Sequence, residues 1–163
     1  MATPQEIITA WMKDAHAMER ASIDNLETQV SRLDAYPEYQ TKLREQIEVT
    51  RRQQRRIDDQ LRAMGAEPST AKELMTRMAG RMQALLAGSG GDEVVKQATS
   101  TLAYENWEIA NFRALAAATR HEGEQSLSSM FEEMANEKIG LMNWLVDALP
   151  GLTQRYLDTQ GRR

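Results

Sequence analysis

Two acidic residues interrupt an otherwise apolar helical stripe near the middle of the chain, in the segment YENWEIANF from residue 104 to 112. Glu105 and Glu108 are three residues apart and therefore project from one side of a helix. The same side carries apolar side chains at Val94, Ala98, Leu102, Ile109, Phe112 and Ala116. A buried carboxylate is costly unless it is paired, protonated or bound to a metal ion. The fold must therefore supply a partner for these two carboxylates.

The composition predicts a single soluble domain and excludes several kinds of site. A chain of 163 residues with a net charge of −4 is long enough for a sizeable core and has no excess of basic charge. The absence of cysteine excludes disulfides and thiolate metal sites. The sequence shows neither a signal peptide nor an apolar run of about 20 residues, the length that spans a bilayer. We expect a cytoplasmic protein that binds neither nucleic acid nor membranes.

Hydrophobic periodicity predicts an all-α chain whose breaker residues cluster at a few positions. Thr3 and Pro4 form a helix start, Pro37 and Gly65 mark the next corners, and the glycine-rich stretch 88–91 divides the chain near its middle. The predicted elements are helix 1 at 4–33, helix 2 at 37–64, a shorter connecting helix at 69–87, helix 3 at 92–120, helix 4 at 124–149 and a tail at 150–163. This order predicts a four-helix bundle in one domain.

Two further carboxylates fall on predicted inner faces of the bundle. Glu19 lies at the centre of the apolar stripe of helix 1, and Glu137 occupies a core position in the stripe of helix 4. Carboxylates that converge inside a four-helix bundle hold iron or manganese in several proteins, and hard oxygen ligands suit both metals. Alternatively, each glutamate pairs with a neighbouring arginine or lysine, or lies nearer the surface than a helical wheel indicates. The residues alone leave both interpretations open.

Helix 2 differs from the other long helices because its inner face carries no charge. The polar side chains near that face include Gln46, Thr50 and Gln53, which are neutral. A cluster of four arginines between residues 51 and 56 favours a solvated outer face over a nucleic-acid site, given the acidic net charge.

Four segments, taken in order, resemble the YciE/YciF-type stress proteins of the ferritin-like superfamily. They are KDAHAME in helix 1, LRAMGAEPS at the end of helix 2, YENWEIA in helix 3 and MFEEMANEK in helix 4. The resemblance extends from about residue 10 to residue 149. It implies an antiparallel bundle similar to that of rubrerythrin and ferritin, a di-metal carboxylate centre, and a small, cytoplasmic, stress-related protein that forms a homodimer.

The resemblance also implies a set of metal ligands, from which this chain departs in part. The positions that match the family's ligands are Glu19, Glu105, Glu108 and Glu137. Val49 and Gln53 stand where the family pattern expects a glutamate and a histidine, and Leu141 stands where it expects an acidic residue or a histidine one turn after Glu137. His16 could serve as a substitute ligand. The resemblance thus implies an iron or manganese site that is incomplete on the side of helix 2.

Three functional hypotheses follow. The first is a metal-binding ferritin-like protein with one ion, or two held weakly. The second is a metal-free bundle that acts as a structural or interaction module, with its glutamates protonated or paired with Lys138, Arg113 or Arg20. The third is a helical binder of nucleic acid or membranes, based on the arginine cluster and the Met-rich connecting helix. No catalytic triad or phosphate-binding loop is present, so the sequence assigns no reaction.

Overall fold

The computed structural model of the chain describes residues 1–68 and 94–160. Four helices make up nearly all of these two ranges, in the order α1 (Pro4–Val30), α2 (Pro37–Ala63), α3 (Val94–His121) and α4 (Gln125–Gln160). The helices α1 and α2 form one hairpin, α3 and α4 form a second, and the hairpins pack together chiefly through α1 and α3. The all-α four-helix bundle that the sequence predicts is confirmed. The predicted connecting helix at 69–87 lies outside the described residues.

The helix boundaries follow the local chemistry of the sequence. Thr3 caps α1 by accepting a hydrogen bond from the backbone of Glu6, whose side chain accepts one in return from the backbone of Thr3, and Pro4 occupies the first turn. Gly65 and Gly123 have φ values of 72° and 81°, in the left-handed region that glycine adopts readily, and they follow the ends of α2 and α3. These corners agree with the predicted ones.

The last helix is longer than the sequence predicts. We expected it to end at residue 149, before Pro150, but α4 continues to residue 160 with Pro150 inside it. Proline removes one backbone hydrogen bond from a helix. Leu152 and Tyr156 pack against the hydrophobic core beyond the proline, and this burial favours the continued helix. Helix α1 ends three residues earlier than predicted, at Val30.

The core consists of two hydrophobic clusters separated by a polar layer. One cluster surrounds Met12, Leu61 and Phe112, and the other surrounds Leu26 and Leu43. Between the clusters, every helix contributes buried polar side chains. We call this set the central layer, and it consists of Glu19, Ser22, Gln46, Thr50, Gln53, Glu105, Glu108 and Lys138. The functional question is what these side chains do inside the bundle.

No helix within residues 1–68 and 94–160 is both long and apolar enough to cross a bilayer.

Candidate functional site in the central layer

Within residues 1–68 and 94–160, Lys138 is the only cation of the central layer. Its ammonium group lies among the carboxylates of that layer. Its Nζ is 3.0 Å from Oε2 of Glu108 and 3.3 Å from Oε1 of Glu19. It also donates a hydrogen bond of 3.1 Å to Oγ1 of Thr50 on α2. The side chains of Lys138, Glu19 and Glu108 are fully buried. The ammonium therefore connects α4 with α1, α2 and α3 at the centre of the bundle.

The third buried carboxylate belongs to Glu105, one turn before Glu108 on α3. It accepts a hydrogen bond of 3.3 Å from Nε2 of Gln46. The other carboxylate oxygen of Glu105 has no hydrogen-bond partner among the described residues. The carboxylate oxygens of Glu19 and Glu108 also accept no hydrogen bond there, and their polar contact is the ionic one with Lys138. A buried acceptor without a donor is costly, so these oxygens need protons or a cation.

Burial strongly affects the ionisation of this cluster. Desolvation raises the pKa of Glu19 and Glu105 well above the ordinary carboxyl value, and nearby negative charge raises the pKa further, although Lys138 acts in the opposite direction. Burial lowers the pKa of Lys138, but Glu105, Glu108 and Glu19 raise it more in their ionised forms, so the pKa of Lys138 is raised overall. Three ionised carboxylates would leave two uncompensated negative charges beside one ammonium. The arrangement therefore favours an ion pair between Lys138 and Glu108, its nearest carboxylate, with Glu19 and Glu105 protonated.

Glu137 does not occupy the core position that the sequence predicts. Its side chain is 31% exposed and lies in the seam between α2 and α4, where it accepts a 2.6 Å hydrogen bond from Nε2 of Gln53. The guanidinium of Arg52 lies 3.7 Å away. The prediction that Glu137 occupies a core position was wrong, because Lys138, and not Glu137, fills the inward position between Met134 and Leu141.

His16 also lies outside the central layer. It is partly buried on α1, and its Nδ1 has no hydrogen-bond partner among the described residues. Burial lowers the pKa of its imidazole, although the charge of Asp58 raises it, so the neutral form is favoured. The structure therefore brings together three of the five predicted ligands, Glu19, Glu105 and Glu108, and leaves Glu137 and His16 apart from them.

The positions at which the family pattern expects further ligands supply no charge here. Gln53 is fully buried and uses its amide nitrogen to bind Glu137 and the backbone oxygen of Met134. Leu141 is buried in the second hydrophobic cluster, and Val49 is partly exposed. These side chains complete the packing and hydrogen bonding of the bundle.

The donor set does not fit the metal ion that the ferritin-like fold implies. A protonated amine cannot coordinate a metal, and the ammonium of Lys138 lies within 3.3 Å of oxygens from two of the three carboxylates. In the part of the chain that the structure describes, no group of three or more histidine, aspartate or glutamate side chains is arranged to hold a metal ion. The positive charge that these carboxylates require is thus already present as a side chain.

Sequence reasoning named Lys138 only as one of several pairing partners and did not place it at the site. The apolar series Met134, Leu141 and Leu145 leaves one inward position that either Glu137 or Lys138 can fill. The signal that could have decided for Lys138 is the charge balance, because three inward carboxylates on two other helices require a cation.

Comparisons with known proteins agree with this architecture. The family model described as domain of unknown function DUF892 matches residues 3–158. A protein of Xanthomonas campestris pv. campestris has a similar structure, with 25% sequence identity, a TM-score of 0.83, and coverage of 98% of this chain and 99% of that one. The E. coli stress protein YciF is 16% identical with a TM-score of 0.75, and the matched region covers 94% of this chain and 99% of YciF.

A third solved structure, YcfI from Rhodopseudomonas palustris, is 16% identical with a TM-score of 0.72 and coverage of 88% of this chain and 93% of that one. At 16% identity, YcfI and YciF establish similarity of fold alone. The family model, in contrast, matches the sequence itself from residue 3 to residue 158 and therefore establishes the family. The chain therefore belongs to the DUF892 family, whose YciF-type helical bundle it shares.

Proposed function

We propose that this chain is a ferritin-like bundle that works without a bound metal and serves as a structural or interaction module. The observation that carries the proposal is the position of the Lys138 ammonium, 3.0 Å from Glu108 and 3.3 Å from Glu19. An internal cation supplies the charge that iron or manganese would otherwise supply to these carboxylates. Lys138 would then stabilise the bundle permanently, independently of the metal supply.

A role in stress physiology belongs to the same proposal. YciF is described as a stress protein of E. coli, and YcfI as a proposed structural protein. Both descriptions suit a small bundle that is stable without a cofactor. The homodimeric state and the cytoplasmic location stay predictions, which light scattering and fractionation of cells can check.

Metal binding is the second candidate, and one observation favours it. Five carboxylate oxygens of Glu19, Glu105 and Glu108 have no hydrogen-bond partner among the described residues, although two of them contact the ammonium of Lys138. If Lys138 moved or lost its proton, these oxygens could accept iron or manganese, hard cations that prefer oxygen ligands.

Elemental analysis distinguishes the two candidates. Protein purified without chelators or an affinity tag should contain iron and manganese well below one equivalent, and the Glu105→Ala, Glu108→Ala double variant should contain the same trace amount. Stoichiometric metal in the native chain that disappears in the double variant would contradict the proposal. The conservative pair Glu105→Gln, Glu108→Gln controls for loss of folding, because glutamine preserves the shape of the side chain.

A further inference from the structure

A groove at one end of the bundle lies away from the central layer. The end of the turn between α1 and α2 and the start of α2 meet residues 144–155 of α4 there, and together they line an open groove of about 300 Å³. We call it the corner groove and define it by the lining residues Tyr36, Glu38, Tyr39, Trp144, Asp147 and Arg155. Three aromatic rings and two carboxylates therefore line this groove.

The aromatic side chains of the corner groove form a rigid wall. The rings of Tyr39 and Trp144 are stacked, with centroids 6.2 Å apart and an interplanar angle of 21°. Tyr39 is almost completely buried, and its hydroxyl donates a hydrogen bond of 3.3 Å to Gln29, which holds the ring in place. Trp144 is only partly buried and lines the cavity. The face of an aromatic ring carries partial negative charge and attracts cations.

The groove already contains one cation from its own chain. The guanidinium carbon of Arg155 lies 5.3 Å from the centroid of the Tyr36 ring, within the range of a cation–π interaction. Arg155 lies in the part of α4 beyond Pro150. The extension of the helix through the proline thus brings a positive charge onto an aromatic face of the groove.

The carboxylates of the groove are available to a ligand. Glu38 and Asp147 are exposed and have no hydrogen bond or ion pair with any residue in 1–68 or 94–160. Glu38 lies in the first turn of α2, where its charge partly offsets the positive end of the helix dipole. Asp147 has no such partner, so we expect it to attract a cation more strongly than Glu38 does.

The groove also continues on the other side of Trp144. A neighbouring cleft of about 470 Å³ shares Glu38 and Trp144 with it and extends to Thr41 and Glu45. In this cleft Glu45 is already paired with Lys42 at 3.1 Å. An alkyl chain could extend across Trp144 into this cleft, while its ammonium stays near Glu38 and Asp147, the carboxylates without an ion pair among the described residues.

We propose that the corner groove binds an organic cation of the alkylammonium class, with Trp144 and Tyr36 contacting its charge or its alkyl chain and Asp147 and Glu38 pairing with its ammonium groups. Arg155 competes with this ligand for the same aromatic and acidic surface. The ligand is either a free polyamine or the lysine side chain of another protein, since both present an ammonium on an alkyl chain. The proposal does not depend on the metal status of the central layer.

Calorimetric titration of the chain tests the proposal that the corner groove binds an alkylammonium ion. The probes are spermidine, tetramethylammonium and magnesium chloride, at constant ionic strength. We expect saturable binding of both organic cations, tighter for spermidine, and no comparable binding of Mg²⁺, which lacks an apolar surface. Equal binding of Mg²⁺ would show simple charge attraction and overturn the proposal, as would the absence of saturable binding at millimolar concentrations. Competition of spermidine by a lysine-containing peptide, but not by its acetylated form, would identify a protein side chain as the source of the cation.

Variants locate the site. Asp147→Asn should weaken spermidine binding several-fold and Glu38→Gln somewhat less, whereas Asp59→Asn, which removes one charge near the far end of α2, should have no effect. Trp144→Leu should weaken binding about tenfold, and Trp144→Phe, which keeps a ring, should retain much of it. Since Trp144 also packs on the core, the unfolding midpoints of both variants are measured in parallel.

The most specific outcome concerns Arg155. If this residue competes with the ligand, Arg155→Ala should tighten spermidine binding several-fold. A decrease on removal of Arg155, or equal effects of Asp59→Asn and Asp147→Asn, would contradict the assigned site.

Discussion

Glu137 and Lys138 are neighbours in the sequence, yet they lie in opposite electrostatic surroundings. Glu137 is 31% exposed in the seam between α2 and α4, where Arg52 approaches it and Arg56 pairs with Glu133 at 2.7 Å. Lys138 is fully buried and faces carboxylates from α1 and α3. The seam and the central layer contain the same types of charged group. From this difference we expect burial, and not the number of ion pairs, to determine which charges control the stability of this bundle.

The largest expected effect comes from removing the buried cation. Lys138→Met should lower the free energy of unfolding by about 3 to 5 kcal/mol, because it leaves carboxylates in the core without their counter-ion. Urea denaturation followed by circular dichroism measures the change. The matched control is Lys42→Met on the surface of α2, which breaks an exposed pair with Glu45 and should have a much smaller effect. Equal effects of the two substitutions would mean that the central layer is no more important than the surface.

The pH dependence of stability sharpens the same comparison. The pKa values of Glu19 and Glu105 are raised in the folded state, so the folded chain binds more protons there than the unfolded chain does. The stability that this protonation contributes is complete below the ordinary carboxyl pKa of 4.5 and is lost as the pH rises through the raised values. Relative to Glu105→Gln, which cannot ionise, the native chain should therefore lose stability as the pH increases above 4.5. A difference between the two chains that stays constant with pH would contradict the assigned protonation.

Neutral substitutions separate the roles of the buried carboxylates. At neutral pH, Glu108→Gln should cost about 1 to 3 kcal/mol, because it removes the nearest charged partner of Lys138. Glu105→Gln should change stability by less than about 1 kcal/mol, since glutamine replaces a carboxyl group that is already neutral. Thermal unfolding of both variants measures the contrast. The reverse order would assign the ion pair to Glu105.

The smallest effect is expected in the seam. Arg56→Ala removes an ion pair whose glutamate, Glu133, is 60% exposed, and it should cost about 0.2 to 1 kcal/mol, with a further decrease in high salt. Denaturation in low and high salt provides the measurement. A loss as large as that of Lys138→Met would show that the seam also holds the hairpins together.

Much of the fold could be predicted from the sequence because its signals are local. The capping box at Thr3, the glycines after α2 and α3, and the apolar periodicity act within a few residues, and the structure follows them. Pro150 shows the limit of local rules, because the packing of Leu152 and Tyr156 on the core overrides a helix breaker. That packing depends on residues distant in the sequence.

The candidate site could be predicted only in part, for a related reason. The apolar stripes of α1 and α3 are clear enough to place Glu19, Glu105 and Glu108 correctly. On α4 the position between Met134 and Leu141 can be filled by either Glu137 or Lys138, and the wrong choice exchanges an ammonium for a carboxylate. The difference is about 100° of rotation, which only the packing of α4 against the other helices determines.

The most direct measurement of the central claim is thermal unfolding of the native chain and Lys138→Ala, each with a chelator and with Mn²⁺. The account predicts that the native chain unfolds at the same temperature under both conditions, since Lys138 already supplies the cation. Removal of the lysine frees the carboxylates, so Lys138→Ala should unfold at a lower temperature with chelator and be stabilised by Mn²⁺, by about 2.7 kcal/mol at a concentration 100 times its Kd. A native chain that is itself stabilised by Mn²⁺ and destabilised by the chelator would contradict the account.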